Sequence, residues 1–448
     1  MSRKVFISFL GGTNYRYCDY QKDGKSYGNV RFVQEATLNY LDVNNKWTKD
    51  DVALILLTKT AEDNNWVDNG QKDREGNVVC DELTNGTLEG LATRLKPFEI
   101  KLEPVRELPE GNDEKEIWEI FERVFKKIND DDELYFDITH GFRYLPMLVM
   151  VLCNYSKFLK KVTVKSITYG NFEVARKLRH GLLVDLLPLT KLQDWTYAAG
   201  TYLDSGNVDK LTTLCNEETK LVLRESLGKD EGAKKLKSFV SKLSSVVEER
   251  RTCRGIDIIE SKSLKGLKEA ADVLEESTFI KPFNPIFEKI KKSLVSFDES
   301  ENIRNGLSAA VWCYDNGLYQ QSATILQEFV VSFFCMRHGI AIDDEENREL
   351  VNKAFNIKAH NTDEDKWNAK DEQKPKIREI ISDDYFDNEK LIAYFQNLTE
   401  VRNDFNHSGM RSKRVPMKPS NIKENIKKCI CGFAVLLFNI KIEKKSCF

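Results

Sequence analysis

A parallel α/β sheet domain followed by an all-α half is the architecture this sequence predicts, on three observations. Through residue 187, short apolar runs closed by glycine or threonine alternate with amphipathic stretches, the βαβ grammar of a doubly wound sheet. From about Pro188 the strand-like runs stop and helical periodicity takes over. At 448 residues the chain also exceeds one ordinary core, so about two to three domains are expected.

The elements follow in order. "KVFISFLGG" is an apolar run ended by glycines, and "DVALILLT" is a near-continuous hydrophobic strand of the kind that helices cover on both faces. The polar segment from Asn64 to Leu83 reads as an inserted loop. "NDEKEIWEIFERVFKKI" places Ile117, Phe121, Val124, Phe125 and Ile128 on one helical face. "ELYFDIT" is a strand, "GFRYLPMLVMVLCNYSKF" a buried helix with Pro146 near its first turn, and "VTVKSITYG" another strand. The first half is therefore Rossmann-like. The second half reads as helices throughout: "TKLQDWTYAAGTYLDSGNVDKLTTL", "KKLKSFVSKLSSVVEE", "KGLKEAADVLEE", "PIFEKIKKSLVSF" and, from about Ser300, "LSAAVWCYDNGLYQQSATILQEFVVSFFCMRHG". No fixed-period repeat argues for a solenoid.

Composition narrows the function classes. Hydrophobic content of 41% with 31% charged residues fits a globular protein, and no apolar run approaches the ~18 residues that a membrane span needs. "VFISFL" is too short for a signal-peptide core and runs into Gly11-Gly12. Ten cysteines lie scattered without zinc-type spacing, so a reducing cytoplasm with free thiols is expected. Net charge is −3, but the distribution is uneven: Asp343 to Asn347 and Asn361 to Glu372 are acidic and read as solvated loops. Between Ser408 and Lys428, seven basic side chains face one acid, Glu424. Such a stretch is usually a solvated face, but because it follows His407 an anionic partner such as RNA gains weight.

Ligands of open parallel sheets bind at the carboxyl ends of strands. Three such ends stand out. In "FLGGTNYRYCDY", Gly11 and Gly12 permit close backbone approach, and Thr13, Asn14 and Tyr15 offer polar groups. In "FDITHGFRYLPM", Thr139, His140, Gly141, Phe142 and Arg143 stand at the mouth of a helix, where a cation and an aromatic platform suit phosphates and bases. A plainer role for Asp137 and Thr139 is to cap that helix. In "ITYGNFE", Tyr169, Gly170 and Asn171 close a later strand. The G-x-G-x-x-G fingerprint and a suitably spaced acidic ribose ligand are both missing, which disfavours a Rossmann oxidoreductase.

Taken in order, "FLGGTNY", "LLT", "DITHGFRYLPML" and "TYGNFE" resemble the CARF sensor domain of CRISPR-associated CARF–HEPN ribonucleases, with Asp-x-Thr-His-Gly-Phe the most specific string. The resemblance implies a cyclic oligoadenylate bound across a CARF dimer, with cyclic tetra-adenylate preferred over the hexa-adenylate. It implies no cofactor for catalysis.

The helix "LTEVRNDFNHSGMRSKR" carries Arg402, Asn403 and His407 and ends at Ser408-Gly409. On a helix, Asn403 and His407 are neighbours, whereas Arg402 and His407 stand about 140° apart. Arginine's reach, or a two-fold dimer that sets two such helices face to face, reconciles them with one site. Ligands for a metal are too few around His407, Asp404 being the only nearby acid. No serine or cysteine nucleophile is identifiable. Metal-free phosphodiester cleavage remains, in which the RNA supplies its own 2′-hydroxyl, His407 moves or orients a proton, Arg402 holds the phosphate and Asn403 orients. "RNDFNHSG" resembles the R-x4-H motif of HEPN ribonucleases, and the upstream "AAVWCYDNGLYQQSATILQEFV" resembles their first helix, with Trp312, Leu318, Ala323 and Leu326 as core and Glu328 near its end. His180 and His338 read as structural or surface residues, and His360 as part of a polar loop.

The expected organisation is thus a CARF domain over 1–187, a helical inter-domain region over 188–299 and a HEPN ribonuclease domain over 300–448. The resemblance implies a cytoplasmic homodimer, or higher homo-oligomer, of type III CRISPR defence. Activated by cyclic oligoadenylate, it would cut single-stranded RNA and leave a 2′,3′-cyclic phosphate. The alternative is a non-catalytic nucleotide sensor that dimerises through its helical half.

Overall fold

The structure, a computed structural model, describes residues 2–68, 88–275, 283–294, 297–298, 300–410 and 415–440. It divides into two compact units, Met1–Lys191 and Leu192–Phe448. Most of the expected inserted loop, from residue 69 to 83, lies outside the described residues, as do Arg411, Lys413 and Arg414.

The first unit is built on one eight-stranded mixed sheet in the order β3-β2-β8-β7-β6-β1-β4-β5. Its strands are β1 (Lys4–Phe9), β2 (Cys18–Lys22), β3 (Lys25–Val30), β4 (Val52–Thr58), β5 (Lys101–Leu108), β6 (Glu133–Asp137), β7 (Thr163–Asn171) and β8 (Gly181–Asp185). Five of them, β7-β6-β1-β4-β5, are parallel. After β1 the chain builds β2 and β3 at the far edge, then lays β4 and β5 outward from β1 and returns to add β6 and β7 on the other side of β1. Strand order therefore reverses between β1 and β6, which makes that crevice the switch point where such sheets take ligands.

Alternation along the strands builds the two layers. Val5, Ile7 and Phe9 of β1 join Val52, Leu54 and Leu56 of β4 on one face, under Ile120, Phe121 and Leu148. Phe6, Ala53, Ile55 and Leu57 pack on the other, with Phe32, Leu38 and Leu91. Every residue of β4 is buried, as its unbroken apolar string requires.

Two strand pairings depart from a simple parallel reading. β2 and β3 form a hairpin at Asp23–Gly24, both with positive φ, and β8 runs antiparallel to β7. The helix Leu145–Lys160 is not buried all round: Met147 is 69% and Phe158 84% exposed, with Val151 and Tyr155 also open. Asp137 and Thr139 do not cap it, since it starts behind Tyr144 without a side-chain cap.

Among its described residues the second unit is all helical with one continuous core, in which residues from Trp195 to Leu437 take part. Residues 192–299 and 300–448 thus share one compact unit. Phe355 stacks on Phe395 at 3.8 Å, and Phe334 and Phe386 close on the same ring cluster. The stretch expected as one helix around Trp312 to Glu328 is two, Arg304–Asp315 and Tyr319–Arg337. Gly317 breaks it at φ 74°, a conformation that other residues adopt only with strain. His360 is the last residue of the helix Glu345–His360 rather than part of a loop.

Candidate functional site

The crevice at the β1/β6 switch point is assembled from three strand ends. Buried Asp137, the last residue of β6, accepts a hydrogen bond from Ser8 of β1 (2.8 Å) and two from Thr139, through its amide (3.1 Å) and hydroxyl (2.5 Å). The Thr139 oxygen in turn accepts the Gly170 amide of β7 at 2.7 Å. Gln34 donates to both Ser8 Oγ and the Phe9 carbonyl at 3.1 Å. One carboxylate thereby ties β1, β6 and β7 together. Burial raises the Asp137 carboxyl above its ordinary range, against the hydrogen bonds from Thr139 and Ser8 that lower it.

The expected residues take different places around this knot. Thr13 and Asn14 are exposed on the loop after β1, and Gly11 and Gly12 are half-buried beneath them. Asn65 holds that loop by donating to the Gly11 and Thr13 carbonyls (2.8 and 2.9 Å), and Asn64 donates to Gly12 (2.9 Å). Tyr15 points inward. Its hydroxyl accepts the Gly11 amide at 2.8 Å and its ring packs between Phe32 and His140. Among the described residues the buried His140 Nε2 has no hydrogen-bond partner, and burial pushes its pKa down to about 4. Gly141 has φ 124°, and a Cβ there would meet Leu145 and Phe9 at 3.1 and 3.2 Å, so the turn that carries half-buried Phe142 and exposed Arg143 needs glycine. Phe142 stacks on Tyr144, 5.2 Å between centroids, and Arg143 stands exposed beside them. Tyr169, Gly170 and Asn171 are the last residues of β7, paired with Val184, Leu183 and Leu182. Ser8, Gln34 and Asn65 escape sequence reasoning. Only the Asn64-Asn65 pair shortly after a buried strand carries any local signal.

In the helical unit, Arg402, Asn403 and His407 lie at the end of the helix Glu389–Asn406. His407 is its C-cap and is exposed. Ser408 and Gly409 follow with φ of 50° and 72°, and the Gly409 amide donates to the Asp404 carbonyl at 2.9 Å. Arg402 is partly buried and turned toward the Tyr319–Arg337 helix. Its Nη1 donates to Gln327 Oε1 at 3.3 Å and lies 3.1 Å from Glu328 Oε1. Gln327 is itself held on Thr399 (3.1 Å), and Glu328 also pairs with Arg348 at 2.8 Å. No hydrogen bond joins Arg402 to His407 among the described residues. Within one chain the two groups flank the helix end rather than converge. Among the described residues no three His, Cys, Asp or Glu side chains are grouped to hold a metal.

A Rossmann-like domain with a partly polar crevice at its switch point, together with an all-helical unit, is the class that the fold and the site define. Comparison with known proteins narrows that class. Residues 5–173 match the family model of the CARF domain of the CRISPR system endoribonuclease Csx1. The CRISPR-associated protein MJ1674 of Methanocaldococcus jannaschii is 25% identical over 319 residues, 70% of this chain and 44% of that protein. This chain therefore spans less than half of that relative's length. Among solved structures, Enterococcus italicus Csm6 bound to cyclic hexa-2′-fluoro-hexa-dAMP aligns over 98% of this chain and 94% of its own, at 10% identity and a TM-score of 0.44. The similarity to a CARF domain of CRISPR systems thus covers residues 5–173.

Proposed function

We propose that the chain is a cyclic oligoadenylate-activated endoribonuclease of type III CRISPR defence, working in the cytoplasm as a homodimer. The observation that carries this reading is the match of residues 5–173 to the CARF domain of a CRISPR endoribonuclease, in a chain whose second half ends one helix in Arg402, Asn403 and His407. Cyclic oligoadenylate, with the tetra-adenylate preferred, takes the switch-point crevice. Thr13, Asn14 and the backbone of Gly11 and Gly12 approach it from β1. Phe142 and Arg143 supply a ring and a cation from β6.

In the helical half the RNA's 2′-hydroxyl attacks the adjacent phosphorus, so the protein needs a proton-transfer group and a cation but no nucleophile of its own. His407, exposed at the helix end, takes the first role. Arg402 takes the second: among the described residues its Nη1 is the atom engaged by Gln327 and Glu328, and the other edge of the guanidinium faces phosphate oxygens. Asn403, one turn before His407, orients the pair. Because Arg402 and His407 flank the helix end in one chain, a second copy completes the site. The exposed Met147, Val151, Tyr155 and Phe158 stripe is the apolar face through which the CARF halves pair. No metal takes part.

RNA cleavage by the purified protein with and without cyclic tetra-adenylate, repeated in EDTA, tests the reading. Activator-dependent cutting that survives EDTA is expected; cutting that EDTA stops and added metal restores contradicts the mechanism. A second reading, a non-catalytic sensor, draws on the engagement of Arg402 by Glu328 and its separation from His407. Absence of any RNA cleavage at saturating activator selects it.

A further inference from the structure

Two chains of bonds lead to Arg402, and both end on its Nη1. The first is neutral. Thr399 gives its single hydroxyl proton to the Phe395 carbonyl at 2.9 Å, so toward Gln327 it can only accept. The Gln327 amide nitrogen donates to it at 3.1 Å, which turns the amide oxygen toward Arg402 at 3.3 Å. The second chain is ionic. Arg348, in the first turn of the helix Glu345–His360, donates from Nη2 to Glu328 Oε2 at 2.8 Å, and Glu328 Oε1 lies 3.1 Å from Arg402 Nη1. One carboxylate is thereby shared between two guanidinium groups, one oxygen to each.

Arg348 is itself fixed. Its Nη1 donates to Ser332 Oγ (2.9 Å) and to the Ile342 carbonyl (3.0 Å), and its Nη2 also reaches the Glu328 carbonyl (3.4 Å). Only 16% of its side chain is exposed, so solvent competes little for these bonds. With both terminal nitrogens engaged on protein, Arg348 is not itself placed to hold a phosphate. Its effect falls on Glu328. A carboxylate facing a single arginine favours the two-point fork, which takes two guanidinium nitrogens at once. Closed on Arg402, such a fork would cover the edge that the mechanism above turns to phosphate. A carboxylate already held by Arg348 has one oxygen left to give.

We propose that Arg348 is a positioning residue: by holding one oxygen of Glu328 it keeps that carboxylate from closing on Arg402, and so keeps the Arg402 guanidinium presented to an RNA phosphate. The assignment rests on the reading of the chain as an RNA-cutting protein. RNA binding is therefore read beside cleavage, so that the two can fail separately.

Cleavage at saturating cyclic tetra-adenylate is compared for full-length wild type, Arg348→Met, Glu328→Gln and the double variant. Methionine keeps an unbranched apolar stem in place of the arginine's and removes its fork. Arg348→Met is expected to lower kcat about 10- to 100-fold, up to the size of an ångström's misplacement, and Glu328→Gln alone to stay within a few fold of wild type. The double variant should recover most of the wild-type rate, because a neutral amide cannot close an ionic fork on Arg402. The same order is expected in the affinity of the four proteins, each also carrying His407→Ala, for a uridine octamer measured by fluorescence anisotropy. Rescue is what separates positioning from a merely structural role, under which the losses accumulate and the double variant is the worst of the three. That outcome overturns the proposal, as does an Arg348→Met protein that cuts and binds at the wild-type level. Should Arg348→Met not melt cooperatively, Arg348→Gln takes its place, with the same rescue by Glu328→Gln required. Weakened and restored RNA binding in a protein whose wild type never cuts would leave the role of Arg348 standing and remove the nuclease reading instead.

Discussion

The switch-point crevice and the end of the Glu389–Asn406 helix are built on opposite plans. Around Asp137, hydrogen bonds tie three strand ends into one knot, and the Tyr15 and His140 rings are packed beneath it. At the helix end Arg402 is held through Gln327 and Glu328, whereas the exposed His407 side chain has no hydrogen bond among the described residues. The first is preorganised within one chain. The second has its groups but not their convergence, as expected of a centre that a second copy or a bound substrate completes. A ligand that favours one arrangement of two copies over another can then control the second site from the first, because control requires only differential affinity.

Substitutions at the two places should therefore fail differently. The largest effect is expected at His407: replacing it with alanine should lower RNA cleavage at least about 100-fold, the contribution of a positioned acid or base. Binding of cyclic tetra-adenylate, measured by calorimetry, should stay at the wild-type value. Cleavage within a few fold of wild type would remove His407 from the mechanism. Arg402→Ala should fall nearly as far. Arg402→Lys should recover little, because an ammonium lacks the planar fork that spans Gln327, Glu328 and a phosphate. Full rescue by lysine would reduce Arg402 to a simple positive charge.

Next in size is a pH effect confined to the packed site. Burial lowers the His140 pKa from 6.5 to about 4, so the unfolded chain binds its proton first as pH falls. Stability from this group is complete above pH 6.5 and drains away between pH 6.5 and 4, by at most about 3 kcal/mol. Denaturant melts of the wild type and of His140→Gln across that range should diverge at neutral pH and converge toward pH 4. Parallel curves would mean that the ring is not buried in solution.

How much of either site can be read from the sequence follows from how local its determinants are. β1, β4 and β6 are apolar strings bounded by polar or glycine residues, and they sit where periodicity puts them. β5 hides because "KLEPVREL" carries a proline and four charges, tolerable only at the sheet edge it occupies. The β2–β3 hairpin did leave a signal, Asp23-Gly24, but its strands are too polar to mark. Within the crevice, the loops are legible as strand ends. That Tyr15 turns inward is not, because Phe32 and His140 decide it from 17 and 125 positions away in the chain. Likewise R-x4-H is visible as a string, while the hold on Arg402 comes from Gln327, 75 residues upstream. The break at Gly317 was readable as Asn-Gly and loses to the helical period on either side.

The smallest expected effect is the sharpest test of the comparison. Arg143 is exposed on the turn that Gly141 permits, beside the stacked Phe142–Tyr144 pair and outside the Asp137 knot. Removing its side chain should therefore leave the fold intact, with melting unchanged within about 0.5 kcal/mol, the usual range for surface substitutions. If it holds a phosphate of the activator, Arg143→Ala loses a charge-assisted hydrogen bond, about 1–3 kcal/mol of binding. The dose–response curve for RNA cleavage should move to roughly 5- to 150-fold higher cyclic tetra-adenylate and recover the wild-type rate at saturation, because the helix end is untouched. An unmoved midpoint with a lower maximal rate would give the opposite meaning: the turn would then transmit the signal rather than bind the ligand, and binding would fall to the loop after β1, at Thr13 and Asn14.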